Sequence, residues 1–273
     1  MSVEKKSAEE ILNSGTLDET LQALMERVRK DPADVKLRIF LFQLFAVLGE
    51  WERAVKQLKV CGGMDAEALP MVQAYREAII CELMREKVFA GEKAPMIFGE
   101  PENWIAMLVE ALGANARGDH AAAAELRAKA FEEAPAISGS ADGTAFAWIA
   151  DADMRLGPVL ELVMNGNYYW VPFAAIQKLK FEEPSDLRDR VWTPVEITWA
   201  NGGEVVGFIP TRYPGAPKGS DAIRLAKVTE WEDIGSETFI GAGQRLLATD
   251  AGDLALMDLR EVDFDTGEEV ADE

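Results

Sequence analysis

The sequence predicts a chain of two parts: an N-terminal all-α region of paired helical hairpins, then a mostly antiparallel β domain, a small sheet or barrel. Apolar residues recur at helical spacing up to about residue 165, and from Tyr168 onward aromatic and β-branched residues punctuated by Gly, Pro and Asn replace them. Between the two lies Asn165-Gly166. The length, 273 residues, fits two domains of about 150 residues each, placed at 1–165 and 166–273. A chain of this size buries about three quarters of its unfolded surface and needs no disulfide or metal to fold.

The elements follow in order. In Thr16-Leu17-Asp18-Glu19 the hydroxyl and the carboxylate each satisfy a backbone N–H at a helix start, a capping box. Its helix runs to Lys30, where Asp31-Pro32 stops it. Val35 to Leu48 holds eleven apolar residues in fourteen. At about 21 Å it is too short for a bilayer core, so it is a buried or groove-lining helix. Further helices are expected at Trp51 to Val60, Ala66 to Phe89 with Gly91 as a stop, Trp104 to Ala116, Ala121 to Glu133, and Thr144 to Leu156. A last short one runs from Pro158, suited to the first helical position, to Met164.

In the β part, Val195 to Trp199 and Val205 to Ile209 flank Asn201-Gly202-Gly203 as a hairpin. More strands are expected at Ala222 to Val228, Glu237 to Ile240, Gln244 to Thr249 and Leu254 to Val262. Gly241-Ala242-Gly243 reads as a turn between strands. From Asp258 to Glu273 eight acids stand against one Arg, which reads as a solvated, partly disordered tail.

Composition excludes several functions. Lys plus Arg is 28 and Asp plus Glu is 48, a formal charge of −20, which opposes phosphate backbones and anionic lipid. Neither nucleic acid nor membrane is an expected partner. Cys61 and Cys81 form no C-x-x-C pair, in keeping with a reduced, cytoplasmic setting. Met1 to Glu10 lacks the apolar block of a secretory signal. The one histidine, His120, removes metal sites and catalysts that need two imidazoles. It reads as a surface or packing residue at a helix start, and no metal or cofactor is expected.

Gly49-Glu50-Trp51-Glu52-Arg53-Ala54 and Gly118-Asp119-His120-Ala121-Ala122-Ala123 repeat one pattern 69 residues apart, about two periods of 34. Gly opens a tight turn, the aromatic plugs the space between paired helices, and Ala lets the backbones approach. The pattern resembles the tetratricopeptide (TPR) repeat, with departures at Phe42, His120 and Arg127. In that repeat the first helix of each unit lines a groove. The resemblance places Lys36, Ile39, Gln43, Ala46 and Val47 there in one unit and Ile105, Leu108, Leu112, Asn115 and Ala116 in the other. An apolar floor with polar flanks suits an amphipathic partner helix.

Three further runs extend the likeness: Asp153-Met154-Arg155-Leu156-Gly157-Pro158-Val159-Leu160-Glu161, Gly166-Asn167-Tyr168-Tyr169-Trp170-Val171-Pro172 and Asp189-Arg190-Val191-Trp192-Thr193-Pro194. Together with the TPR-like half they resemble the ImpE family, also called TagJ or SciE-type proteins, accessory components of bacterial type VI secretion systems. The resemblance implies a cytoplasmic, non-enzymatic adaptor that binds the N-terminal helix of the small contractile-sheath subunit. It also implies action alongside the sheath-recycling AAA+ ATPase, and brings no catalytic residues. Read as structure alone, Tyr168, Tyr169, Trp170 and Trp192 form an interdomain core whose phenol and indole groups find polar partners. Two alternatives stand beside the adaptor. One is an enzyme with a carboxylate site at Asp186, Asp189 and Arg190 near Trp192. The other is a structural subunit docking through its β face.

Overall fold

A computed structural model describes residues 15–100 and 102–266. The reading of Met1 to Glu10 and the end of the acidic tail fall outside them. Six longer helices come first: α1 (Leu17–Lys30), α2 (Val35–Val47), α3 (Trp51–Met64), α4 (Leu69–Phe89), α5 (Asn103–Ala116) and α6 (His120–Glu133). The capping box forms at α1, where the Glu19 N–H donates to Thr16 Oγ1 (3.2 Å) and the Thr16 N–H to Glu19 Oε2 (2.9 Å). Asp34 caps α2 through the Leu37 N–H. No helix among the described residues is long and apolar enough to cross a membrane.

The two repeat units are helix pairs, α2 with α3 and α5 with α6. Both turns place their glycine in the left-handed region, Gly49 at φ 71° and Gly118 at φ 81°, and both alanines, Ala54 and Ala123, are fully buried. The two glycines are not equivalent. A Cβ on Gly49 would lie 2.5 Å from Pro217 Cβ, whereas one on Gly118 would meet nothing within 4 Å. Gly118→Ala is therefore expected to cost only its left-handed backbone, about 1–2 kcal/mol. Gly49→Ala adds a collision with the β half and should lower the urea midpoint further.

Strands begin earlier than the sequence suggests. The segments expected as helices at 144–156 and 158–164 instead contain β3 (Thr144–Phe146), β4 (Ile149–Asp151) and β5 (Val159–Met164), preceded by β2 (Gly139–Ala141). Asp142-Gly143 joins β2 to β3, and Asn165-Gly166 joins β5 to β6 (Asn167–Pro172). All four turn residues have positive φ, the geometry of a two-residue hairpin loop. Pro158 precedes a strand, not a helix, and Gly157 (φ 57°) sits against the Phe131 ring.

The remaining strands are β7 (Ile176–Phe181), β8 (Trp192–Trp199), β9 (Glu204–Pro210), β10 (Thr229–Asp233), β11 (Phe239–Gly243), β12 (Leu246–Thr249), β13 (Gly252–Ala255) and β14 (Glu261–Phe264). With β1 (Met96–Ile97) at one end, a nine-stranded sheet has the order β1-β6-β5-β9-β8-β7-β14-β2-β3. It is antiparallel except where β1, from the loop between α4 and α5, lies parallel to β6. The sheet does not close into a barrel. The predicted hairpin is β8–β9. Ala222 to Val228 is no strand: Asp221–Arg224 forms one helical turn, α7, capped by Ser220. Gly241 and Gly243 lie inside β11, Gly241 packed beneath the Tyr213 ring. The first part of the acidic tail is a strand, β14, paired with β7 and β2.

Each face of this sheet has its own core. Leu160, Leu162, Val195, Ile197 and Ile209 point to one side, into a cluster with Leu247 and Phe264. Val159, Val163, Tyr168 and Trp170 point to the other, against α4, α5 and α6, while Trp192 joins α2, α3 and α4. Side chains alternate along a strand, so Glu161, between Leu160 and Leu162, faces the helices.

Candidate functional site

The groove expected on the helical half is closed by the same chain. Six of its ten positions, Gln43, Ala46, Val47, Ile105, Leu108 and Leu112, are 3% exposed or less. Lys36 and Ala116 are exposed, and Ile39 and Asn115 are half-buried. Trp192 seals the first unit, its ring 5.6 Å from Tyr75 and 6.0 Å from Trp51. The C-terminal carbonyls of α2, which have no intrahelical donor, are met by Arg212: Nη1 donates to Val47 O at 2.8 Å and Nη2 to Ala46 O at 3.4 Å. Gln43 Nε2 donates to Asp186 Oδ1. In the second unit Ile105, Leu108 and Leu112 pack with Tyr168 and Trp170. The TPR-like apolar face is thus an internal interface, because the sheet offers it a larger apolar partner than water does.

The residues considered for carboxylate chemistry are committed to the local fold. Asp189 Oδ2 accepts the Ser185 and Asp186 N–H groups, and Asp186 pairs with Arg188 at 2.5 Å. Arg190 lies against Met257 Sδ. The hollow beside Asp186 and Asp189 measures about 70 Å³, against the roughly 300–1,000 Å³ of small-molecule sites. His120 begins α6, with Nδ1 3.2 Å from Asn115 Oδ1.

A cluster of charged side chains is buried between helices and sheet. Three carboxylates, Glu82, Asp151 and Glu161, meet three guanidiniums, Arg85, Arg212 and Arg245. Glu161 is the hub. Arg85 Nε and Nη2 donate to its two oxygens at 2.6 and 2.9 Å, Arg245 pairs with it and with Asp151, and Tyr168 OH donates at 2.5 Å. Trp170 Nε1 donates to Tyr168 OH at 2.8 Å and Trp192 Nε1 to Glu82 at 3.2 Å. The polar partners expected for Tyr168, Trp170 and Trp192 are therefore present.

Burial pushes each carboxyl up, and the neighbouring guanidiniums pull it down. For Glu161 the two guanidiniums and the hydrogen bonds prevail, lowering it from 4.5 to about 2. For Asp151 burial prevails, raising it to about 6 despite Arg245. For Glu82 burial likewise leaves it raised. The cluster is buried and sets guanidiniums of α4 and the β half against carboxyls of the sheet, which suits a clamp holding α4 to the sheet. Sequence reading missed it, although Glu161 interrupts the apolar run from Val159 to Met164.

An open cleft lies where the helical layer leaves part of the β7–β8–β9 face uncovered. Its volume is about 500 Å³. Glu77 of α4 and the β5–β6 turn form one side, Glu182 another, and the helix-facing row of β7, β8 and β9 supplies Lys180, Glu196, Val206 and Phe208. Lys180, Glu196 and Val206 are cross-strand neighbours.

Comparison with known proteins agrees with the fold. The family described as ImpE protein matches residues 143–263, a span that includes most of the sheet. The type VI secretion system accessory component TagJ of Pseudomonas aeruginosa is 54% identical over 259 residues, covering 94% of this chain and 91% of that protein. A crystal structure of a protein from Vibrio parahaemolyticus superimposes with a TM-score of 0.86 at 29% identity, covering 95% of this chain and 97% of the other. With a relative this similar matched along nearly its whole length, the chain belongs to the ImpE family.

Proposed function

We propose that this protein is a non-enzymatic accessory component of a type VI secretion system, working in the cytoplasm, that receives an amphipathic helix from the N-terminus of the small contractile-sheath subunit. The observation that carries this reading is the 54% identity to the TagJ accessory component over 94% of the chain. The commitment of Asp186 and Asp189 to backbone and arginine contacts supports the non-enzymatic part. The sheath-recycling AAA+ ATPase is a second proposed contact.

The test is co-purification of the full chain with the small sheath subunit, intact and lacking its first helix. Retention of the intact subunit and its loss with the helix is the expected result; equal retention of both forms overturns the helix as the recognised element. Deleting residues 1–130 of this protein is not a clean test, because it would strip α4, α5 and most of α6 from the apolar face of the sheet.

A further inference from the structure

We infer that the open cleft between α4 and the β7–β8–β9 face is where the partner helix docks, and that this helix carries a basic side chain beside its apolar face. The inference rests on the proposed adaptor function and gives that function a location.

Three features of the cleft support it. First, the closed trough leaves the apolar floor of the repeat unavailable, whereas the cleft keeps apolar surface in water: Val206 is 71% exposed, beside Phe208 and the Val163–Met164 end of β5. An exposed valine next to a concave apolar wall is what an amphipathic helix needs for an anchor. Second, charge at the cleft is one-sided. Glu77, Glu182 and Glu196 line it and Lys180 alone opposes them, a local excess of acid on a chain of charge −20. Such a site attracts basic segments and repels acidic ones. Third, β9 is paired along its length with β8 but meets β5 at Val163↔Phe208 only. Glu204 to Val206 runs past the turn at Asn165-Gly166 as an uncovered edge, a surface that proteins ordinarily cover or charge.

The test uses the full chain and a fluorescent peptide of the sheath subunit's N-terminal helix, with affinity measured by anisotropy. Val206→Asn removes the apolar anchor, Glu182→Lys with Glu196→Lys reverses the rim, and Ile80→Asn, at an exposed apolar residue of α4 outside the cleft, is the control. Weakening of tenfold or more in the first two, with the control unchanged and wild-type affinity falling as salt rises, is the expected result. Equal binding by all variants overturns the cleft and leaves the adaptor function standing. No binding by the unmodified chain overturns both. Hydrogen exchange on the unmodified protein reads the same question without a variant: the peptide should slow exchange at 204–208, and unchanged rates there with bound peptide overturn the cleft as the site.

Discussion

Glu161→Ala is expected to destabilise the protein by about 3–5 kcal/mol in equilibrium urea unfolding, because it leaves two buried arginines without their shared carboxylate. The loss should exceed that of a solvent-screened ion pair such as Lys178 with Glu261. Glu161→Gln keeps the shape and removes the charge, so it isolates the electrostatic part. Because the folded carboxyl is lowered below its unfolded value, its contribution is present above pH 4.5 and is lost as pH falls toward 2. The fall from 4.5 to about 2 corresponds to about 3 kcal/mol. The stability difference between the unmodified protein and Glu161→Gln should therefore be constant near neutral pH and shrink between pH 4.5 and 2. Asp151 works in the opposite sense. Raised from 3.8 to about 6, it favours the fold below 3.8 and loses that contribution as pH rises through 6. Asp151→Asn should remove a fall in stability as pH rises from 3.8 to 6, opposite in sign to the Glu161 slope. A difference that stays level down to pH 2 for Glu161→Gln would mean that the carboxyl titrates alike in the folded and unfolded chain, so that the arginines lend its charge no net stabilisation.

Most helices were legible because their signals are local. Thr16 and Glu19 close a capping box within four residues, and Gly49 and Gly118 mark turns that only a positive φ completes. The errors cluster at 139–164, where local signals conflict. Asp142-Gly143 and Asn165-Gly166 are strong hairpin dipeptides, yet the apolar run from Val159 to Met164 reads equally well as a helix, since a strand buried on both faces loses its alternation. Tertiary contact decides it: every residue of that strand is buried, and Glu161 can reach Arg85 and Arg245 only from the middle of a sheet. β14 was hidden for a related reason. Glu261 and Asp263 look like a solvated tail, but they alternate with Val262 and Phe264, which sit in the core, while Lys178 of β7 bridges the two acids at 2.9 Å each. The candidate site was the least legible part. The TPR-like pattern identifies an apolar helix face but carries no information about what covers it, and here the cover is Trp192, Arg212 and the sheet, far away in sequence.

Trp192→Ala is expected to cost about 3–5 kcal/mol, the range for removing a large buried aromatic, and it separates the two possible uses of the helical trough. Trp192 is fully buried; its truncation removes the ring packed on Tyr75 and Trp51 and takes the indole donor from Glu82 Oε1. Trp192→Phe retains much of the packing and loses the donor. Its smaller cost, about 1–3 kcal/mol for a buried acceptor left unpaired, should diminish in a Glu82→Gln background if the two groups are coupled. Urea midpoints for the four chains give the coupling directly. The same variant bears on recognition. Were the trough the receiving surface, held shut by Trp192, opening it would raise affinity for the sheath-subunit helix. A surface buried permanently between two halves of one fold offers no such gain, so Trp192→Ala should bind the helix no more tightly than the unmodified chain under conditions where both are folded. Tighter binding would show that the sheet half acts as an inhibitory cover on its own helical groove.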